Sequence, residues 1–161
     1  MYSQNEDTIK ALIAQYQQKI FALALYLVGR DRDNAYGVCA SSFTEAIRES
    51  SYLEQKEVFL VRLAGIVVEK CRNTKAIPIF DELEFLDLPA AEKMPLGIVL
   101  KALQALDFDS KALVLLRDQL NLLYKEISVI MRVSETDARR KTARARALLR
   151  EKIEEIMRCE R

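Results

Sequence analysis

The chain has 161 residues, 50% of them apolar and 30% charged, with only four Gly, three Pro and a net charge of +1. It contains no histidine, which removes the usual general base of Ser and Cys hydrolases and the usual nitrogen ligand of zinc, and its three cysteines form no CxxC pair. No Gly-rich phosphate loop is present either, so an enzyme has no constellation to stand on and neither metal nor other cofactor is expected.

Cys39, Cys71 and Cys159 are expected as reduced thiols, the first two packed on core-facing stripes. The acidic start is unlike a signal peptide, and the longest apolar run, residues 20–29, falls short of the roughly 20 residues that cross a bilayer. A cytoplasmic protein without membrane insertion is expected. Few helix breakers, and long runs of Ala, Leu, Glu, Lys, Arg and Gln, predict an all-α fold.

In chain order, Ile9, Leu12, Ile13, Tyr16, Ile20, Leu23, Ala24, Leu27 and Val28 repeat at helical spacing and predict a first helix over residues 8–29, with Gly29 just past its end. Asp33 is a candidate N-cap for a second helix running to about Arg48 and burying Ala35, Val38, Cys39, Ser42, Phe43, Ala46 and Ile47. A third over residues 57–71 carries Phe59, Leu63, Ala64, Val67 and Val68 on a face broad enough to close a core.

After Asn73 the pattern decays into an acidic stretch that holds all three prolines, Pro78, Pro89 and Pro95, with Asp81, Glu82, Glu84 and Asp87 between them. Residues 76–95 therefore read as a linker between an N-terminal helical domain, 1–75, and a C-terminal one, 96–161. Helix resumes over 96–106, and Asp109 or Ser110 can cap the next, which runs through Leu120.

The end of the chain carries the strongest signal. A short apolar helix from about Glu126 is followed by a break at Arg132-Val133 and then a basic helix. From Arg132 to Lys152 eight cations stand against Glu135, Asp137 and Glu151. Ser134 is suited to cap the second helix by accepting the amide of Asp137, with the Asp137 carboxylate able to reach back in a capping box. Ala138, Ala145, Leu149 and Ile156 mark its inner face, which leaves Arg139, Arg140, Arg144 and Arg146 for phosphates. A packed helix, a capped break and a basic helix follow in the order by which a helix-turn-helix reads the major groove.

These residues resemble those of the extracytoplasmic-function sigma factors of bacterial RNA polymerase, group 4 of the sigma-70 family, over nearly the whole chain. The family's C-terminal region 4 is matched by Tyr124-Lys125-Glu126-Ile127, Val133-Ser134-Glu135 and Arg144-Ala145-Arg146 behind the Leu-rich stretch 112–117. Region 2 is matched more loosely, by residues 11–47 and by Phe59-Leu60-Val61-Arg62-Leu63-Ala64. Where the family carries acids and Gln on its second helix, this chain has Ala35, Tyr36 and Cys39, and Leu123 and Arg132 stand where the family favours Ser or Thr and Gly.

The resemblance implies a non-enzymatic factor that binds core polymerase and reads the −35 promoter element through Ser134, Glu135, Thr136, Asp137, Arg139, Arg140, Lys141, Arg144, Arg146 and Arg150. It implies contact with the −10 element through Arg62, Lys70, Arg72, Asn73 and Lys75, and with polymerase through Asp31, Asp33, Tyr36 and Phe43. It also implies promoter DNA, core RNA polymerase and an anti-sigma factor as partners. Two other readings stay open: a sigma-like DNA-binding regulator that no longer supports promoter opening, and a module that binds only protein.

Overall fold

The computed structural model describes residues 2–29, 31–49, 53, 55–74 and 90–159. Among the described residues there are seven α-helices and no strand, as the composition predicts. None of these helices is long and apolar enough to cross a membrane.

Helix α1 (Tyr2–Leu27), α2 (Arg32–Arg48) and α3 (Lys56–Arg72) pack pairwise against one another. The expected stripes supply their core: Leu12, Ile20, Leu23, Ala35, Phe59, Leu63 and Val67 are essentially inaccessible. Truncating one of the large members would cost about 3 to 5 kcal/mol through lost transfer energy and the cavity left behind. Helix α1 starts well before residue 8, and Gly29 takes φ 73° beyond its end, where a side chain would be strained.

Helix α2 is capped by Asp31, not Asp33. The Asp31 carboxylate accepts the Asn34 amide at 3.2 Å and its side-chain amide at 2.6 Å, while Asp33 lies in the first turn, beside the positive end of the helix dipole.

The C-terminal half comprises α4 (Ala90–Gln104), α5 (Phe108–Val114), a π-helical turn (Leu115–Gln119), α6 (Tyr124–Met131) and α7 (Glu135–Cys159). Helix α4 starts inside the stretch expected as linker, with Pro95 in its second turn. The cap of α5 is Asp107, whose carboxylate accepts the Ser110 amide at 3.2 Å, so Asp109 and Ser110 fall inside the helix they were expected to start.

Helix α5 also stops early. The chain widens into the π turn, where Leu120 N–H reaches Leu115 O at 3.1 Å and Leu122 N–H reaches Leu116 O at 3.1 Å. Helix α7 packs across α4, α5 and α6, so its buried stripe is the centre of this half. The halves share one continuous core, joined where α3 meets α6 and where α1 meets α5 and the π turn.

Candidate nucleic-acid interface

The helix-turn-helix forms where the sequence places it, and its break is built from backbone. Arg132 ends α6 in the left-handed conformation, φ 56° and ψ 46°, so that its own amide and that of Val133 both turn back to the Ser128 carbonyl, the latter at 3.1 Å. Glycine would adopt this conformation freely, whereas Arg132 bears a strain of about 1 kcal/mol. Leu123 precedes α6 and supplies no side-chain cap, as its chemistry dictates.

Ser134 does cap α7, accepting the Asp137 amide on its hydroxyl at 3.1 Å. Only half of the expected capping box forms. The Asp137 carboxylate accepts instead from Arg140 at 2.9 Å, three residues along the helix, where a charged donor offers more than a backbone amide.

Ala138, Thr142 and Ala145 are fully buried against the rest of the half, and Thr142 satisfies its hydroxyl by donating to the Ala138 carbonyl at 2.7 Å. Sequence reasoning missed Thr142 because a hydroxyl breaks the apolar stripe; its spacing of four from Ala138 was the available sign. The opposite face of the first turns is open: Ser134, Glu135, Thr136, Arg139 and Arg140 are all exposed, and Asp137 is partly so.

Arg139 is held twice. It pairs with Glu135 at 3.2 Å, and its guanidinium carbon stands 5.1 Å from the ring centroid of Tyr124, the first residue of α6. Arg117 from the π turn stacks on the same ring at 4.6 Å while donating to the Leu122 carbonyl at 2.7 Å. Tyr124 thus joins both helices of the motif to the turn beneath them, a role its place in the sequence did not reveal.

Arg146 is also engaged. It forms a two-pronged ion pair with Asp118 in the π turn, one prong at 3.1 Å, so it fastens α7 to the scaffold. Lys141, Arg144 and Arg150 are exposed and make no hydrogen bond or ion pair among the described residues. The ten residues expected at the −35 element therefore separate into six at the start of α7, three exposed cations along it without an ion-pair partner, of which Arg144 stands close enough to Asp107 to help hold that carboxyl below its ordinary range, and one arginine spent on packing.

The residues expected at the −10 element and at polymerase are brought together less completely. Arg62 is bound to Glu49 by two hydrogen bonds, 2.9 and 2.8 Å, which hold the Glu49 carboxyl below the usual carboxylate range. Lys70 pairs with Glu45 at 3.1 Å, Arg72 pairs with Asp109 at 2.7 Å, and the Asn73 side chain donates to the Glu69 carbonyl at 3.2 Å. Lys75 lies outside the described residues.

Asp31, Asp33 and Tyr36 sit at the surface near the start of α2, and Tyr36 is 71% exposed. Phe43 does not join them. It is 6% exposed with its ring 6.5 Å from that of Phe59, which places it in the core and removes it from any partner-facing set. Cys71 is buried as expected, its thiol pushed up to about 12 by desolvation, while Cys39 is half-buried and Cys159 exposed.

The stretch that holds α6 and most of α7 is similar to a known family. Residues 96–149, which hold α5, the π turn, α6, most of α7 and the end of α4, match the family model described as Sigma-70, region 4. No curated protein matches the chain.

Proposed function

We propose that the chain is a sigma factor, which binds core RNA polymerase and directs promoter-specific initiation by reading the −35 element with α7. The observation that carries this reading is the exposed start of α7, preceded by a capped break and lying within the stretch similar to sigma-70 region 4. Here Glu135, Asp137, Arg139 and Arg140 face base edges, where an arginine can take guanine in a bidentate pair and an acid can accept from cytosine. Lys141, Arg144 and Arg150 hold phosphates and fix register without reading sequence. The chain contributes no reaction of its own.

On the same reading Asp31, Asp33 and Tyr36 contact polymerase, and Arg72, Asn73 and Lys75 contact the −10 element. A second reading, a DNA-binding regulator that has lost promoter opening, is favoured by one observation: Arg62, Lys70 and Arg72 are each paired with an acid. Co-purification with core polymerase separates the two, since such a regulator would not be retained.

DNA binding is tested by titrating salt against the affinity of the full chain for duplex DNA. With about three phosphates neutralised, log affinity falls against log salt with a slope near −2.7. A slope near zero would remove the DNA-binding reading and leave a module that binds only protein.

A further inference from the structure

The cations at the start of α7 are not held alike. Arg140 rests on Asp137 of its own helix, and Lys141 makes no ion pair or hydrogen bond among the described residues. Arg139 is held from another helix, its guanidinium carbon 5.1 Å from the ring centroid of Tyr124, the first residue of α6. That hold leaves its donors free. A ring attracts a cation through its face and needs no hydrogen bond from it, while Glu135 accepts one from Nη2 at 3.2 Å. The remaining N–H groups of the fork stay available for a base edge. With 64% of its side chain exposed, Arg139 is both fixed and accessible.

Tyr124 is fixed in turn from the π turn. The guanidinium carbon of Arg117 lies 4.6 Å from the same centroid, and its Nη1 donates to the Leu122 carbonyl at 2.7 Å in a partly buried setting. The phenol also stands beside Arg146, whose charged form is favoured first by its hydrogen bonds to Asp118 and then by Tyr124. The ring on which Arg139 lies is therefore clasped by the turn behind it.

We infer that Arg117 is a positioning residue for DNA reading, which fixes Arg139 for one guanine through the ring of Tyr124. The inference rests on the reading of base edges by α7 and names a determinant outside that helix. An exposed arginine samples many rotamers, and ordering it on binding reduces what it gains from the right base. With a wrong base it makes no pair and needs no ordering. An arginine ordered beforehand therefore separates right from wrong more sharply. Without Arg117 the ring is free to turn about its side-chain bonds, and Arg139 loses its fixed surface.

The test is the sequence preference of the full chain on a pool of randomised duplex DNA, read as the ratio of retained to input sequences. Arg139→Ala identifies the base pair that Arg139 reads. Arg117→Met should flatten preference at that same pair about threefold, the effect of one exposed cation–π contact, and leave other positions and the salt slope as they are. In an Arg139→Ala background Arg117→Met should do nothing further, since its route to DNA is gone. Should Arg117→Met not fold, Tyr124→Leu, which leaves Arg117 its Leu122 carbonyl, should flatten the same pair, and Tyr124→Phe, which keeps the ring, should not.

Affinity lost evenly over all positions, or a further loss on top of Arg139→Ala, makes Arg117 a scaffold residue only and overturns the inference. So does an Arg139→Ala profile identical to that of the unaltered chain. If the unaltered chain selects no sequence, the base-reading role of α7 falls and the inference with it. A selected sequence that Arg117→Met leaves unchanged overturns the inference alone.

Discussion

Arg144 and Arg146 stand two residues apart on α7, which turns their side chains roughly 200° from one another around the axis, and that angle decides what each can do. Arg144 is exposed and makes no ion pair among the described residues, its charge only helping to lower the Asp107 carboxyl, whereas Arg146 grips Asp118. Arg144→Ala should weaken binding to every sequence and reduce the salt slope by about 1. Arg146→Ala should leave the slope unchanged and lower stability by about 0.5 kcal/mol, measured by urea unfolding, because its partner is a half-exposed carboxylate. The sequence could not separate them. Both are cations in one Arg-Ala-Arg motif, and Asp118 lies 28 residues away. Tyr124 was unreadable for the same reason, since its ring acts on Arg117 and Arg139 only after the chain has turned. Tyr124→Phe should keep sequence preference, while Tyr124→Leu should free Arg139 and relax discrimination at one base pair by up to about 1 kcal/mol, scored on single-substitution DNA variants.

Among the elements, existence and type followed from hydrophobic period, but starting points did not. Asp31 and Asp33, like Asp107 and Asp109, offer two carboxylates two residues apart, and either could cap. The structure uses the first of each pair, Asp31 accepting the Asn34 amide and Asp107 the Ser110 amide, and leaves Asp33 and Asp109 in the first turn. The π turn has no sequence signature, as its single extra residue leaves no repeat to detect. The break at Arg132 was legible, and it makes a prediction. Arg132→Gly should relieve the left-handed strain and stabilise the fold by about 1 kcal/mol in a denaturant melt. Helix α5 offers another. Burial disfavours the Lys111 ammonium and holds its pKa below the ordinary 10.5, with Asp107 only partly offsetting this. At neutral pH the folded chain therefore carries a charge it would rather lose, and the penalty disappears as pH climbs past 10.5, where the unfolded chain loses that proton too. Lys111→Met should raise the urea midpoint at pH 7, by an amount that shrinks as pH approaches that value.

At the scale of the whole molecule, two helical groups were foreseeable from the acidic, proline-bearing stretch between them. Their contact was not. Gly65 opposite Ile130, and Arg72 between Phe108 and Asp109, join residues far apart in sequence, and neither helix period nor capping chemistry bears on such pairs. That contact changes the meaning of the cations at the end of α3, which the sequence offered to DNA and the fold pairs with acids. Under the proposed function the chain acts only together with polymerase, and polymerase-dependent activity is what that reading stands on. The most direct measurement is transcription by core RNA polymerase with the full chain on a library of promoters. The account predicts transcripts from a subset that shares one upstream sequence, with Arg139→Ala changing the membership of that subset. A library from which added chain yields no more transcript than core polymerase alone would contradict it.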